Sequence, residues 1–407
     1  MLSLRKSRFA MTVKHWALLG DSWLAPARRF IGTRRAVLFE VFNPPGFDAQ
    51  EPVIHSLVER GLVDVHVSGG LERGIAPSRV AALARARVRV HKLQASRHRR
   101  FDAVVVTDGR LVNSWRSSRY VFLHHGSASG NLPVPYALQL LESGAVNYLL
   151  AIHPAEARVI ASHLGPRMQG RVRVVGQPKL DRLVNSSYSS QELLESLGLD
   201  PMRRTVLYLS HWTPTSLMHT CGEEILGLLR VRTEFNVLVT GHLHLWDHPA
   251  RSGGVDWRAR LGWIADEPHM RLLPQAADLH EIMAAADLAI TDHTSATLEY
   301  ALLYRPIVLF RNPDAVFSDA GLDARLRRTA IVFSDVREFP AAFEQAVRME
   351  SIDGAPRRAL LDSCFRHLGE SSLQAAIAIE EIALSGALSD VPPTEDSFQG
   401  QAVSGKR

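Results

Sequence analysis

The chain has 407 residues, 46% of them hydrophobic, so it is too long for one ordinary domain and apolar enough to build two cores. Two cysteines cannot form a disulfide framework, which excludes the disulfide-rich secreted scaffolds. The formal net charge of +5 is concentrated at the N-terminus, so the body of the chain is not expected to bind nucleic acid.

Residues 1–35 form a basic leader in which aromatic side chains separate the charges. The leader carries eight arginines and lysines against one acidic residue, Asp21. This pattern is typical both of a segment lying on an anionic membrane surface and of a loosely ordered extension, and the two interpretations stay open. No apolar run is long enough to span a membrane, and no signal-peptide pattern is present. We therefore expect a cytoplasmic protein, with peripheral attachment to the inner face of the cell membrane as the alternative.

From residue 36 apolar strands alternate with helical segments, which indicates parallel α/β layers. Strands are predicted over residues 36–41, 63–67, 103–107, 120–123, 148–152 and 172–175. Helices are predicted over residues 134–144 and 154–164, and residues 77–95 are predicted to be a helix that runs into a strand. A polar stretch at residues 185–190 is the expected linker, so residues 36–185 form the first predicted domain.

The alternation restarts after the linker. Strands are predicted over residues 205–210, 236–240, 270–273, 288–291 and 306–310, and helices over 221–233, 256–264, 279–286, 295–303, 338–350 and 356–385. Residues 191–387 form the second predicted domain, and the polar tail 388–407 is expected to be disordered. Two doubly wound, Rossmann-like domains that face a cleft, with a C-terminal helix, are the α/β architecture called GT-B. Ligands of such folds bind at the carboxyl ends of the strands.

The first motif, in residues 120–130, places two histidines and a loop of small residues directly after a strand. Histidine is the side chain best suited to proton transfer near neutral pH, and His125 is the stronger candidate because it precedes the loop. The small residues Gly126 and Ser127 would let backbone N–H groups approach a phosphate. His124 is the weaker candidate of the pair.

A second motif lies in the other half of the chain, where an apolar strand ends in Gly241 and is followed by His242 and His244. Imidazoles can bind zinc, but no carboxylate or cysteine pattern completes a ligand set, so we predict no metal and no other cofactor. We expect His242 to face a phosphate, with Gly241 beside it.

The motif in residues 287–306 is the most informative one. A hydrophobic strand runs into Asp292, and a helix opens at Thr294 and Ser295, whose hydroxyls are expected to cap it. A helix start exposes unpaired N–H groups and the positive end of the dipole, so these three residues are predicted to bind phosphate. Glu299 lies one turn further and is expected to accept hydrogen bonds from ribose hydroxyls.

We further expect the strands that end at Thr240 and Thr291 to be neighbours in one parallel sheet, because each is followed by a helix and a right-handed crossover. Their carboxyl ends would then place His242 and the helix that starts near Ser295 on the same edge of the cleft. The segment Gly176–Asp181, in contrast, indicates by itself only a turn with a charged pair.

In this order the motifs resemble the CDP-glycerol glycerophosphotransferases of teichoic-acid and capsule synthesis. The family's His-Gly-Thr turn is matched by residues 125–127, its Gly-x-Pro-Arg-x-Asp segment by 176–181, and its Ile-Thr-Asp-Tyr-Ser-Ser segment by 290–295. The chain departs from the family where a lysine is missing after residue 127 and where Gly241 replaces an arginine.

The resemblance implies a transferase that moves a glycerophosphate or related polyol-phosphate group from CDP-glycerol, or a similar nucleotide-activated donor, to a hydroxyl of a polymer or lipid-linked acceptor. It implies that His125 is the base, that His242 stabilises the diphosphate together with Thr294 and Ser295, and that CMP leaves. A nucleotide-sugar glycosyltransferase of the same architecture is one alternative. A non-catalytic binding subunit of a polysaccharide-synthesis complex is the other.

Overall fold

The computed structural model describes residues 34–69, 75–97, 99–108, 119–126, 134–165, 170–185, 188–247, 249–250, 252–273, 277–315, 320–349 and 354–385. The basic leader predicted over residues 1–35 lies outside the described residues except for its last two. The predicted tail 388–407 and the candidate site residue Ser127 also lie outside them.

The first half of the chain builds a sheet of seven parallel strands. They are β1 Arg35–Val41, β2 Val63–Gly69, β3 Arg89–Lys92, β4 Ala103–Val106, β5 Arg119–Leu123, β6 Tyr148–Ala151 and β7 Val172–Val174, in the order β3-β2-β1-β4-β5-β6-β7. Consecutive residues of β1, such as Val37, Leu38 and Phe39, are all fully buried. Both faces of the sheet are therefore covered, as in doubly wound α/β folds.

The helices of this half are α1 Pro44–Arg60, α2 Pro77–Arg85, α3 Leu93–Ser96, α4 Val134–Glu142, α5 Pro154–Leu164 and α6 Lys179–Asn185. Helix α1 was not predicted from the sequence. Pro44 occupies its first turn, where a missing N–H is tolerated. Asn43 caps the helix by accepting a 2.7 Å hydrogen bond from the Gly46 amide.

The second half builds a sheet of six parallel strands. They are β8 Arg204–Ser210, β9 Phe235–Gly241, β10 Met270–Leu272, β11 Leu288–Thr291, β12 Ile307–Phe310 and β13 Ile331–Phe333, in the order β10-β9-β8-β11-β12-β13. Both sheets thus share the strand order 3-2-1-4-5-6 of dinucleotide-binding folds. The expectation that β9 and β11 are neighbours was wrong, since β8 lies between them and pairs with both. The reason is that the chain returns to the centre of the sheet after β10.

The helices of the second half are α7 Ser190–Ser196, α8 Glu223–Arg230, α9 Leu243–Asp247, α10 Trp257–Arg260, α11 Leu279–Ala285, α12 Ser295–Ala301, α13 Ala320–Arg327, α14 Phe339–Arg348, α15 Gly354–Cys364 and α16 Ser371–Leu384. The helix predicted over 356–385 is two helices, because the chain turns through left-handed conformations at His367 and Gly369. The helix predicted over 221–233 is preceded by a π turn, Met218–Gly222. None of the helices in the described ranges has the length and apolarity needed to cross a membrane.

Helix α16 returns to the first half of the chain. Its apolar residues, including Ala375, Ile379 and Ala383, lie in one core with β1, β2 and α1. The predicted domain 191–387 is therefore corrected, because α16 completes the core of the first sheet. Asp181 fixes the start of this helix by accepting hydrogen bonds from the amides of Ser371 at 3.1 Å and Ser372 at 2.6 Å.

We predict that Asp181→Ala lowers the free energy of unfolding by about 1–3 kcal/mol, because two buried N–H groups lose their acceptor. Urea unfolding of the variant should show this loss. Asp362→Ala on α15 is the matched control, since Asp362 is exposed and should change stability by less than about 0.5 kcal/mol. Equal stabilities for the two variants would contradict the assignment.

Candidate active site

A cleft lies between the carboxyl ends of the two sheets. Its cavity has a volume of about 270 Å³, close to the lower end of the range for small-molecule sites. The first half contributes His125, Gly126 and Lys179 to the lining, and the second half contributes His242 and Ser295 among others. Residues of both halves thus meet at one site, as expected for this architecture.

His125 follows β5 and presents its imidazole to the cleft. Its Nδ1 lies 3.0 Å from the carbonyl oxygen of Thr107. Because a carbonyl can only accept, Nδ1 carries the proton and Nε2 keeps its lone pair. Burial lowers the pKa of His125, an effect opposed by the Asp108 carboxylate and the Thr107 carbonyl. The imidazole is therefore neutral at pH 7 and suited to accept a proton.

Asp108 connects His125 to the start of α1. Its Oδ1 lies 4.0 Å from the His125 Nδ1, and its Oδ2 accepts a 2.8 Å hydrogen bond from the side-chain amide of Asn43. Since Asn43 also caps α1, the helix cap orients the carboxylate next to the imidazole. The negative charge favours the protonated ring that forms when His125 accepts a proton.

His124 has a different environment from its neighbour. Its side chain is almost fully buried, and its Nε2 lies 2.6 Å from Oε1 of Glu156. The other oxygen of Glu156 accepts a 2.9 Å hydrogen bond from the amide of Ile152. His124 therefore supports the packing of β5 against α5 and does not line the cleft.

His242 follows β9 and lines the opposite wall. Its Nδ1 accepts a 3.2 Å hydrogen bond from the amide of His244, so the proton of the neutral ring is on Nε2. Burial, together with the neighbouring His244 and His125, lowers the pKa of His242 to about 4. The two cleft histidines thus hold opposite tautomers, so that His125 offers an acceptor nitrogen and His242 a donor.

His242 belongs to a cluster of imidazoles at the carboxyl edge of the second sheet. The ring centroid of His211 lies 5.5 Å from that of His242 and 4.9 Å from that of His293. Burial, together with these neighbours, lowers the pKa of His211 to about 3, so its ring is neutral. Among the described residues, no group of three His, Cys, Asp or Glu side chains has an arrangement that could hold a metal ion.

Thr294 and Ser295 line the cleft at the start of α12. The expectation that their hydroxyls cap the helix was wrong for Thr294, whose side chain makes no hydrogen bond to the helix amides although it occupies the cap position. The hydroxyl of Thr297 instead donates a 2.8 Å hydrogen bond to the carbonyl oxygen of Asp292.

Glu299 lies one turn into α12 and is buried at the floor of the cleft. Its Oε1 accepts a 2.6 Å hydrogen bond from Lys179 Nζ, and its Oε2 accepts one of 3.0 Å from His280 Nε2. Burial alone raises the pKa of Glu299, but the two partners outweigh it and bring the pKa to about 2. The carboxylate is therefore ionised and already engaged by one residue from each half of the chain.

Asp292 does not line the cleft, and its predicted phosphate contact is corrected. The carboxylate is fully buried and accepts hydrogen bonds from the Ser210 hydroxyl at 2.9 Å and from the amides of His211 at 3.0 Å and Leu217 at 2.8 Å. Asp292 thus holds the loop that follows β8. A carboxylate in that position cannot reach a ligand.

The two glycines of the predicted site differ in whether a larger residue would fit in their place. A side chain at Gly241 would place its Cβ 2.9 Å from the carbonyl oxygen of Ser210, so only glycine fits at this strand end. A Cβ at Gly126 would meet no atom within 4 Å. The carbonyl of Gly126 accepts a 2.8 Å hydrogen bond from the Gln177 side chain.

Segment 176–181, to which the sequence analysis assigned no function, contacts the site directly. Lys179 reaches the cleft floor, and Gln177 holds the loop of His125. Gly176 has a positive φ of 83° and approaches the carbonyl of Arg366 so closely that a Cβ would lie 2.1 Å from it. The match to the family's Gly-x-Pro-Arg-x-Asp segment was the signal that pointed to these residues.

Known proteins share this architecture. Solved structures include the wall teichoic acid polymerase TagF, with a TM-score of 0.57 and 14% identity over 86% of this chain and 88% of that chain. They also include S. aureus MnaA in complex with UDP, with a TM-score of 0.54 and 13% identity over 85% and 96% of the two chains. These likenesses confirm the predicted α/β GT-B fold.

One curated relative matches by sequence, a UDP-N-acetylglucosamine–N-acetylmuramyl-(pentapeptide) pyrophosphoryl-undecaprenol N-acetylglucosamine transferase of Phocaeicola vulgatus. It is 22% identical over 192 residues, which are 46% of this chain and 48% of the relative. The chain thus spans about half the length of this curated relative.

The family comparison covers more of the chain than that match does. The profile described as CDP-Glycerol:Poly(glycerophosphate) glycerophosphotransferase matches residues 34–320. The matched range includes both histidines of the cleft and the start of α12. The predicted resemblance is confirmed, and the chain belongs to the CDP-glycerol:poly(glycerophosphate) glycerophosphotransferase family.

Proposed function

We propose that the protein transfers glycerophosphate from CDP-glycerol to a hydroxyl of a poly(glycerophosphate) chain in teichoic acid synthesis and releases CMP. The observation that carries the proposal is the pair of opposite tautomers at His125 and His242, which supply a proton acceptor and a donor to one cleft. Family membership and the shared fold with TagF support the donor and the polymer.

His125 acts on the acceptor. Its Nε2 takes the proton of the acceptor hydroxyl while the oxygen attacks the β-phosphorus, and the new O–P bond forms as the bond to CMP breaks. The electron pair of the broken bond leaves on the phosphate oxygen of CMP. The proton then passes from His125 to solvent, and Asp108 stabilises the ring while it is charged.

The second half of the chain holds the donor. His242 donates from Nε2 to a phosphate oxygen, and Ser295 at the start of α12 adds a hydroxyl and nearby amides. Glu299 lies deeper, and its carboxylate, already bonded to Lys179 and His280, supports the floor of the donor site instead of contacting the ribose. The second half is then the donor side, and residues 36–185 are the acceptor side.

A nucleotide-sugar glycosyltransferase is the competing function, because the sequence match to the N-acetylglucosamine transferase favours it. In that case the acceptor would attack a sugar carbon, and a nucleoside diphosphate would leave. Incubation with CDP-glycerol in one reaction and UDP-sugars in another distinguishes the two functions. Release of CMP supports the proposal, and release of UDP alone contradicts it.

His125→Gln should lower the rate of CMP release by roughly 10²–10⁴-fold, because the transfer loses its general base. The rate is measured with CDP-glycerol and a poly(glycerophosphate) acceptor. His163→Gln, an exposed histidine on α5, is the matched control and should retain normal turnover. A His125→Gln protein whose rate stays within a few-fold of wild type would exclude the assignment.

Ser295→Ala should weaken binding of CDP-glycerol and CMP by about 1–3 kcal/mol, because a hydrogen bond to a charged phosphate is lost. Isothermal titration on wild type and variant measures the difference. The exposed Ser162 on α5 offers the control substitution Ser162→Ala. If Ser295→Ala binds both ligands as wild type does, the phosphates lie elsewhere.

We also propose that residues 1–35 bring the enzyme to an anionic membrane surface, since each basic residue near such a surface contributes about 1 kcal/mol. Deletion of these residues should reduce co-sedimentation with phosphatidylglycerol vesicles. Binding of the full chain should also weaken as salt increases. Vesicle binding that survives the deletion, or that does not respond to salt, would disprove this role.

A further inference from the structure

A second basic region lies within the first half of the chain. Residues 73–101 contain nine arginines and lysines and no aspartate or glutamate. The basic character is therefore not limited to the leader, contrary to the expectation from net charge. The exposed members among the described residues form a surface that we call the basic edge, which comprises Arg85, Arg87, Arg89, Lys92, Arg97 and Arg99.

The basic edge surrounds β3, the outermost strand of the first sheet. Asp64 of β2 pairs with one member of the edge, Arg89, at 3.3 Å. The rings of His66 and His91 stack beside the strand with centroids 5.0 Å apart. Burial lowers the pKa of His66 to about 4, so this ring is neutral, and the positive charge of the surface comes from the arginines and Lys92.

Helix α2 runs between the basic edge and the cleft. Arg79 near the start of this helix lines the cleft, where its guanidinium is paired with Asp48 and Glu51. Arg85 ends the same helix, about 9 Å further along its axis at 1.5 Å per residue. Lys92 ends β3 at the carboxyl edge of the parallel sheet, the edge from which His125 reaches the cleft. An extended ligand on this surface can therefore reach the cleft along α2 and the carboxyl edge of the sheet.

We propose that the basic edge binds an anionic phosphodiester polymer, namely the acceptor chain, several units back from the end that reacts at His125. The proposal rests on the proposed function. Charge complementarity carries it, since each repeat of such a polymer bears one negative charge and the edge presents a row of cations. A membrane surface fits less well, because Val90 is the one exposed large hydrophobic side chain in the described part of the edge and no aromatic anchor accompanies it.

The test compares two triple variants of the full chain that remove the same charge. One is Arg85→Gln, Lys92→Gln, Arg97→Gln on the basic edge. The other is Arg158→Gln, Arg328→Gln, Arg348→Gln, three exposed arginines scattered over other surfaces. Binding of fluorescently labelled poly(glycerophosphate) is measured by anisotropy across a salt series. Phosphatidylglycerol vesicles and CDP-glycerol are measured as separate ligands.

We expect the edge variant to bind the polymer at least about tenfold more weakly, and the slope of log affinity against log salt to fall by roughly two for three lost contacts. The scattered variant should remain near wild type, and CDP-glycerol affinity should be equal in all three proteins. An unchanged edge variant, or equal losses in both variants, would overturn the proposal. So would an edge variant that loses vesicle binding but keeps the polymer.

The assay is independent of turnover. Polymer binding is measured without a donor, so failure to release CMP from CDP-glycerol would contradict the proposed function and leave the binding result intact. Loss of polymer binding with normal CMP release, in the edge variant alone, supports both.

Discussion

The cleft depends on one buried carboxylate. Glu299 has lost nearly all contact with water, which is costly for an ion unless charged and hydrogen-bonding partners replace the solvent. Lys179 from the first half and His280 from the second half supply those partners. Because removal of either partner would leave a buried charge uncompensated, the two halves are held in register at the floor of the site. The positions of His125 and His242 relative to each other follow from this constraint.

The alternation of strands and helices could be predicted from the sequence because each strand is buried on both faces and is therefore almost continuously apolar. The GT-B plan followed from that alternation. What could not be predicted was long-range packing. The return of α16 to the first core depends on a stripe of small residues that packs in the same core as α1. The local sequence of α16 does not indicate which element it packs against. The position of β8 between β9 and β11 is likewise a property of the whole sheet.

In the candidate site, too, local features could be predicted and those set by distant neighbours could not. The residues that follow strands could be identified, because carboxyl ends of parallel strands meet in one cleft. Their chemical states could not, because a ring tautomer is set by neighbours such as the Thr107 carbonyl and the His244 amide. The misassignment of Asp292 has the same origin. A carboxylate after a strand can bind a ligand or accept hydrogen bonds from a loop, and the surrounding amides decide which. Lys179 was undervalued because its partner lies 120 residues away.

The return of α16 has a consequence for the order in which the protein folds. Helices α1 and α16 share a core although the Arg60–Glu380 ion pair between them joins residues 320 positions apart. A ribosome must therefore synthesise the second half before the first can close its hydrophobic core. The second half, between residues 188 and 364, holds its sheet and helices without that contact and can fold as they emerge. Premature termination just before residue 371 would consequently damage the first half, which is encoded first, and spare the second half next to the break.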